Sequence, residues 1–269
     1  MATTASCRET ISTKGLLLAM IELEGAEQMA LDAWLLDQCA EGRWNEPVLR
    51  FYTWPGHWLS LGHHQQQPPK HWDRAIATGS VQPVRRPSGG GAVLHGGGLT
   101  YALIWPSPPR VRREAYLRTS QWLISGFAKL GLDLHPGQAP AEAGTMHCFG
   151  SSTAADLLDH QGHKRIGSAQ FWRRGHLLQH GEILLDPDPL LWSELFQSSP
   201  PPPLRHLTAE SVCKALTEAL PTLWPDLQWE EGELTPLQWQ EVKRLSTDYR
   251  VSSDASSSSS PDACIDATA

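Results

Sequence analysis

The sequence has no long apolar run. No stretch approaches the roughly 18 residues a membrane-crossing helix needs, and GLLLAMI at 15–21 is followed at once by Glu22 and Glu24. Nor is there a recognisable targeting segment. Cysteine is scarce and unordered: the five, at 7, 39, 148, 213 and 264, form no CxxC pair, which argues against a disulfide framework and for a reducing compartment. A soluble, cytoplasmic protein is expected. Positive charge is also short, with 22 Lys and Arg against 29 Asp and Glu and a net charge of −7. That excludes wholesale nucleic-acid binding. His160 and His163 are spaced like metal ligands, but no cysteine or carboxylate set accompanies them, so no metal site is expected. No internal repeat is present. Phenylalanine and tyrosine number only five and four, whereas tryptophan numbers twelve. Most of those indoles should be core or cleft walls.

What is abundant is glycine in one place. PVRRPSGGGAVLHGGGLTYALIW, 83–105, sets three glycines on either side of a short apolar segment. It lacks the Gly-Lys-Ser/Thr of a phosphate-binding P-loop, and Leu94 stands where a dinucleotide fold would need its third glycine. Glycines between strands suggest a nest of backbone N–H groups borne on a hairpin, able to cradle phosphate, carboxylate or an acyl chain. Arg85 and Arg86 would supply charge beside it. The basic residues are uneven elsewhere too. Arg85, Arg86, Arg110, Arg112, Arg113 and Arg118 lie close in sequence with Glu114 as the only acid among them, and Lys164, Arg165, Arg173 and Arg174 form a second cluster. A basic patch on an acidic chain suits an acidic partner or a phosphate.

Along the chain, residues 1–14 read as flexible. A helix is expected over 25–42, where Met29, Leu31–Ala33, Leu35, Leu36 and Cys39 share a broad apolar face. LRFYTW and WLSLG read as two strands around a Pro-Gly turn. Residues 66–80 form a loop and short helix, 83–105 three strands separated by glycine turns, 114–132 a helix stopped at Gly131, and 133–145 a loop. Short strands alternate with turns at Gln161-Gly162 and Arg174-Gly175 over 153–186. PLLWSELF is a short helix. Four prolines at 200–203 make a stiff connector. Helices over 208–224 and about 235–248 form a short C-terminal extension, 204–250. The Ser-rich tail, 251–269, reads as disordered. The fold class is therefore α/β (α+β), a mixed β-sheet flanked by helices, in one domain over 15–250.

Read together, these segments resemble the biotin/lipoate A/B protein ligase family. RRPSGGGAVLH resembles its glycine signature, EQMALDAWLL its first helix, and LRFYTWPGHWLSLGHHQ its first hairpin. KRIGSAQ resembles its lysine strand and LLQHGEILLD the strand that follows. The resemblance covers roughly 20–195, in order. It implies a catalytic domain like those of class II synthetases, and acyl transfer onto a protein lysine. Members divide by chemistry. Lipoate ligases activate a free acid with ATP and Mg, whereas octanoyltransferases take the acyl group from acyl carrier protein onto a cysteine, and amidotransferases move it between carrier domains. HCFGSS places Cys148 sixteen residues before Lys164, close to the spacing of the cysteine branch. GSAQ followed by LQHG, and the strand LTYALI, also fit that branch. Gly91 fits the ligases, where the transferases often carry arginine. The segment beyond residue 200 is short for the accessory domain of the larger ligases.

The resemblance implies Cys148 as nucleophile and Lys164 as its partner. It implies Ser88, Gly89, Gly90, Gly91, Arg85 and Arg86 around the acyl group and phosphopantetheine, with His95, Gly167, Ser168, Ala169, Gln170, His180 and Gly181 completing the pocket. Either histidine is equally well read as a satisfied core residue. Cys39, Cys213 and the tail's Cys264 read as inert. A thiol of pKa about 8.5 is ~3% thiolate at pH 7, and lowering it to about 6.5 gives roughly 75%. Reduced nucleophilicity removes roughly six- to tenfold of that gain. Lys164 should then matter more for holding the carbonyl and exchanging protons. The transferase reading requires no cofactor. Its donor would be acyl carrier protein, and its acceptor a lipoyl domain of a 2-oxoacid dehydrogenase or the glycine cleavage H protein. No nucleic-acid or membrane partner is expected. The alternatives are an ATP-dependent lipoate ligase and a non-catalytic module that binds carrier or lipoyl domains.

Overall fold

The computed structural model describes residues 14–66, 68–138, 149, 153 and 155–251. Its centre is a mixed sheet of eight strands in the order β11-β1-β2-β6-β10-β9-β8-β7. These are β1 (Lys14–Leu18), β2 (Val48–Tyr52), β6 (Gly98–Trp105), β7 (Leu134–Pro136), β8 (Leu157–Asp159), β9 (Lys164–Arg173), β10 (His176–Leu184) and β11 (Gln228–Gly232). β1 pairs parallel with both β2 and β11, and the remaining neighbours are antiparallel. β9 and β10 are joined by a two-residue turn. Arg174 and Gly175 both take positive φ there, 49° and 87°, as a tight hairpin of this hand demands.

Strand side chains alternate between the two faces, and here the two faces bury different things. On one lies α3 (Arg112–Lys129) with α5 (Ala209–Glu218). Trp122, Leu123, Phe127 and Leu216 pack there on Leu49, Tyr101, Leu103 and Ile183. On the other lies α1 (Gly25–Ala40), whose Met29, Leu31, Leu35 and Leu36 pack on Tyr52, Ala102, Ile104 and Leu178. The expected helices are present, and local chemistry explains their ends. Gly131 (φ 74°) follows α3. The Asp188 carboxylate caps α4 (Pro189–Phe196) by accepting from the amides of Leu190 and Leu191. Thr208 and Ser211 form a reciprocal capping box on α5.

Four expectations change. LRFYTW and WLSLG are not a hairpin pair: β2 joins the large sheet, whereas β3 (Trp58–Leu61) is the middle strand of a second sheet ordered β4-β3-β5. The loop at 133–145 begins with β7, and Lys14 already belongs to β1. The C-terminal extension carries a strand as well as helices, because β11 adds to the edge of the large sheet beside β1, while α6 (Pro236–Leu245) packs on α1 through Val242. The 1–13 and 252–269 segments lie outside the described residues.

Candidate active site

The glycine segment is a crossover rather than a hairpin turn. β4 (Gln82–Arg85) runs parallel to one side of β3, and β5 (Val93–His95) antiparallel to the other. Residues 86–92 therefore carry the chain across the end of β3. Two backbones pass almost in contact there. A Cβ on Gly62 would sit 1.9 Å from the carbonyl oxygen of Gly90, which itself has φ 96°. No side chain fits on Gly62 at that crossing, and the positive φ of Gly90 suits glycine, whereas a Cβ on Gly89 would meet only the His64 ring, at 4.0 Å. The second run turns the chain from the small sheet into the large one. A Cβ on Gly97 would sit 2.0 Å from the Asp186 carbonyl oxygen.

Both arginines of the signature staple this crossing. Arg86 is buried. Its Nη2 donates to the carbonyls of Gly89 and Gly91, each at 2.7 Å, its Nη1 to the carbonyl of Ser60 at 2.9 Å, and its Nε to Ser88 Oγ at 3.2 Å. Arg85 Nη1 donates to the carbonyls of Gly62 and Gln65 at 3.0 and 2.8 Å. These guanidinium donors bind backbone carbonyls and the Ser88 hydroxyl, and so order the loops.

Beside this segment opens a narrow cleft of about 30 Å³, open to solvent, far below the ~300–1,000 Å³ of ligand pockets. Met29, Tyr52, Trp54 and Val93 give it apolar walls, and Gly167, Ser168, Ala169 and Gly181 a small-residue floor. Arg86, His95 and His180 also line it, so the structure brings together seven of the residues proposed from sequence. Behind the walls runs a buried polar network. His180 Nδ1 lies 3.0 Å from Asp32 Oδ2, and its Nε2 2.6 Å from Ser88 Oγ. His95 Nδ1 lies 2.7 Å from Glu182 Oε2, and its Nε2 2.7 Å from Ser60 Oγ. Asp32 also accepts from Arg50 at 2.8 Å and from the Tyr52 hydroxyl at 3.0 Å. Burial first, and then the Asp32 charge, push the Tyr52 phenol well above its ordinary value. Trp54 stacks on the His95 ring with centroids 4.1 Å apart.

Lys164 opens β9, three residues before Gly167 and so about 10 Å along the strand from it. The side chain is buried, forms an ion pair with Asp156 at 2.9 Å, and holds its amine 4.9 Å from the centre of the Phe149 ring. Cys148 lies outside the described residues. Gln170 turns to the opposite face of the sheet. There its amide donates to Gln179 at 2.8 Å and accepts from the Trp172 indole at 3.0 Å. The Ser168 hydroxyl points the same way, 2.8 Å from the Tyr101 hydroxyl. Arg110, Arg112, Arg113 and Arg118 are exposed at the start of α3, and Arg112 rests 5.9 Å over the Trp172 ring. Among the described residues no cluster of His, Cys, Asp or Glu could hold a metal ion.

Sequence reasoning missed Asp32, Arg50, Ser60, Asp156 and Glu182. Two of them left a trace. Asp32 is a charge inside the apolar face of a helix, and Arg50 a charge inside an apolar strand. Both are buried and paired, as such charges must be.

Comparison with known proteins places this geometry. The chain is 38% identical over 184 residues to the octanoyltransferase LipM of Geobacillus kaustophilus, covering 64% of this chain and 66% of that one. Against the first four such relatives it spans 56 to 66% of their length, less than two thirds of each. Among solved structures, a T. acidophilum protein with bound lipoic acid superposes with a TM-score of 0.75 at 19% identity, over 88% of this chain and 96% of that one. A lipoate-protein ligase A bound with ATP gives 0.73 at 20% identity, over 88% and 95%. At such identities these likenesses speak for the fold, a mixed sheet flanked by helices. The lipoyl protein ligase A/B catalytic domain matches residues 24–222, and the chain belongs to that family.

Proposed function

We propose that this chain is an acyltransferase of protein lipoylation. It moves an octanoyl or lipoyl group from acyl carrier protein, through a thioester on Cys148, to a lysine of a lipoyl domain. The Cys148 thiolate attacks the carrier's thioester carbonyl, and the carrier thiol leaves. The acceptor amine then attacks the enzyme thioester, an amide forms, and the thiolate is regenerated. Because the donor is already activated, neither step needs ATP or Mg. The similarity to octanoyltransferases supports this reading over the ATP-dependent ligase. The acceptor would be a lipoyl domain of a 2-oxoacid dehydrogenase or the glycine cleavage H protein, and the setting cytoplasmic. Among the described residues no helix is long and apolar enough to cross a membrane.

One observation carries the site assignment. Phe149, the residue bonded to Cys148, lies against the Lys164 amine, and Asp156 fixes that amine in a buried position. A buried, oriented cation beside the nucleophile's segment can hold the acyl carbonyl and stabilise the oxyanion as it forms. In this reading Ser88, Gly89, Gly90 and Gly91, together with Gly167, Ala169 and Gly181, line the path of the acyl chain. Arg85 and Arg86 shape that path.

The test is intact mass after incubation with octanoyl carrier protein without ATP. One octanoyl group should appear, and Cys148→Ser should abolish it, since a serine hydroxyl is barely ionised at neutral pH. Lys164→Ala should still bind carrier protein but acylate slowly. Normal acylation by Cys148→Ser would overturn the covalent route. Modification of the lipoyl domain only with ATP and free acid would make the chain a ligase, and carrier binding without either activity a binding module.

A further inference from the structure

Two carboxylates of the buried network reach one guanidinium by matching routes. Asp32 connects through His180 to Ser88, and Glu182 through His95 to Ser60. Ser88 Oγ then meets Arg86 Nε at 3.2 Å, and Ser60 Oγ meets Arg86 Nη1 at 3.5 Å. None of these seven residues is more than 5% exposed.

For neutral rings the direction of every proton along these chains follows. A guanidinium only donates and an ionised carboxylate only accepts. Each Nδ1, facing a carboxylate, therefore carries the ring proton and donates it, which leaves Nε2 to accept. Each serine oxygen accepts from Arg86 and points its own hydrogen at that Nε2. Both chains run one way, from cation to anion, and bonds aligned in this manner strengthen one another in a low-dielectric interior.

We propose that Asp32 and Glu182 act through these two relays to orient Arg86, and are thereby positioning residues for the glycine segment 88–91. Arg86 Nη2 holds the carbonyls of both Gly89 and Gly91, so turning the guanidinium releases that segment from the cleft wall. The link to reaction rate rests on the acyl-transfer reading. The tautomers and the order of the segment do not.

Histidine side-chain ¹⁵N spectra of the wild-type chain test the direction of the relays. The expected result is the Nδ1–H form at both His95 and His180, and Nε2–H at either would overturn it. Ser88→Ala then cuts one relay at a neutral link, leaving no buried ion without its partner. The variant should fold, and the amides of residues 89–91 should exchange with solvent at least about tenfold faster. Single-turnover acylation should slow by roughly tenfold, the lower end for loss of a supporting contact. Asp32→Asn should in addition switch His180 to Nε2–H, as an amide facing imidazole in place of a carboxylate does. If that variant fails to fold because Arg50 loses its counter-ion, Ser88→Ala carries the test alone. Wild-type exchange at 89–91 in Ser88→Ala would sink the proposal. So would wild-type acylation in an enzyme shown to acylate. If the wild-type chain does not acylate at all, the acyl-transfer reading fails, while the tautomers and amide exchange still decide the relays.

Discussion

The two faces of β10 are built on different principles. Leu177, Gln179, Gly181 and Ile183 look toward α3, whereas Leu178, His180, Glu182 and Leu184 look toward α1 and the small sheet. The α3 face is largely apolar, with a neutral ladder across it, Gln170, Gln179, Tyr101 and Ser168, on which the buried Asp156 charge also acts. Burial pushes the Tyr101 phenol up to about 12, although its bonds to Gln179 and Ser168 pull the other way. The cleft face buries full charges, with Asp32, Arg50, Arg86 and Glu182 each at most 5% exposed. The contrast teaches that one strand can serve as core on one side and as the foundation of a site on the other. Removing one polar partner should have very different consequences on the two sides.

The largest expected effect is therefore that of Asp32→Ala. It leaves Arg50 buried without its carboxylate, and breaking such a pair costs about 3–5 kcal/mol. Gln179→Ala on the other face loses neutral bonds and should cost about 1–3 kcal/mol. Urea unfolding of the two variants measures the difference. Equal losses would erase the distinction between the faces.

A smaller effect separates stability from chemistry. In Gly62→Ala the new Cβ meets the Gly90 backbone, which can yield only by moving the glycine segment. In Gly126→Ala, within α3, it meets first the end of the Leu216 side chain, at 2.6 Å. Overpacking of either kind costs about 1–3 kcal/mol. The expected outcome is that Gly62→Ala loses far more acyl transfer than Gly126→Ala at similar melting temperatures. Matching activities would show that the crossing does not shape the cleft.

Each face also holds one described thiol, Cys39 against the α1 cluster and Cys213 against the α3 cluster. Burial pushes both up to about 12, helped at Cys39 by Glu46. At pH 8 only about one molecule in ten thousand would then carry either thiolate, the reactive form. Brief treatment with iodoacetamide should leave both unmodified by peptide mass mapping. Labelling of one alone would identify the face that opens more readily.

The same contrast explains what the sequence made legible. The α3 face obeys simple periodicity, so its helix, its strands and Gly131 could be read directly. PLLWSELF coincides with α4 because proline, cap and apolar spacing agree locally. The cleft face depends on partners far apart in the chain: Asp32 and His180 are separated by 148 residues, and His95 and Glu182 by 87. No window of sequence shows such pairings. The glycines and histidines of the cleft were visible through the family resemblance, but their carboxylate partners were not. β1 and β11 were missed for a related reason. Each is five residues long, and they find each other across more than 200 residues.

The smallest stability effect is expected at the basic end of α3, and its sign is informative. Arg112 and Arg113 occupy the first turn of the helix, where backbone N–H groups already concentrate positive charge and acidic residues are preferred. Helix stability therefore gives no reason for these arginines, and a partner would. They are exposed at the hairpin end of the sheet. Trp172, under Arg112, is three residues from Ala169 in the cleft floor, about 10 Å along β9. An acidic carrier protein held there is close enough for a short tether to reach round the end of the sheet. Replacing both by glutamate should leave stability unchanged or raise it by about 0.3–1 kcal/mol. The same change should raise the apparent KM for carrier protein and flatten its salt dependence, because exposed charges attract at a distance that salt screens. Steady-state transfer at several salt concentrations, beside a melting curve, separates the two effects. A raised KM with unchanged or higher stability would make the patch a docking surface, and an unchanged salt profile would leave the two arginines with no part in carrier recognition.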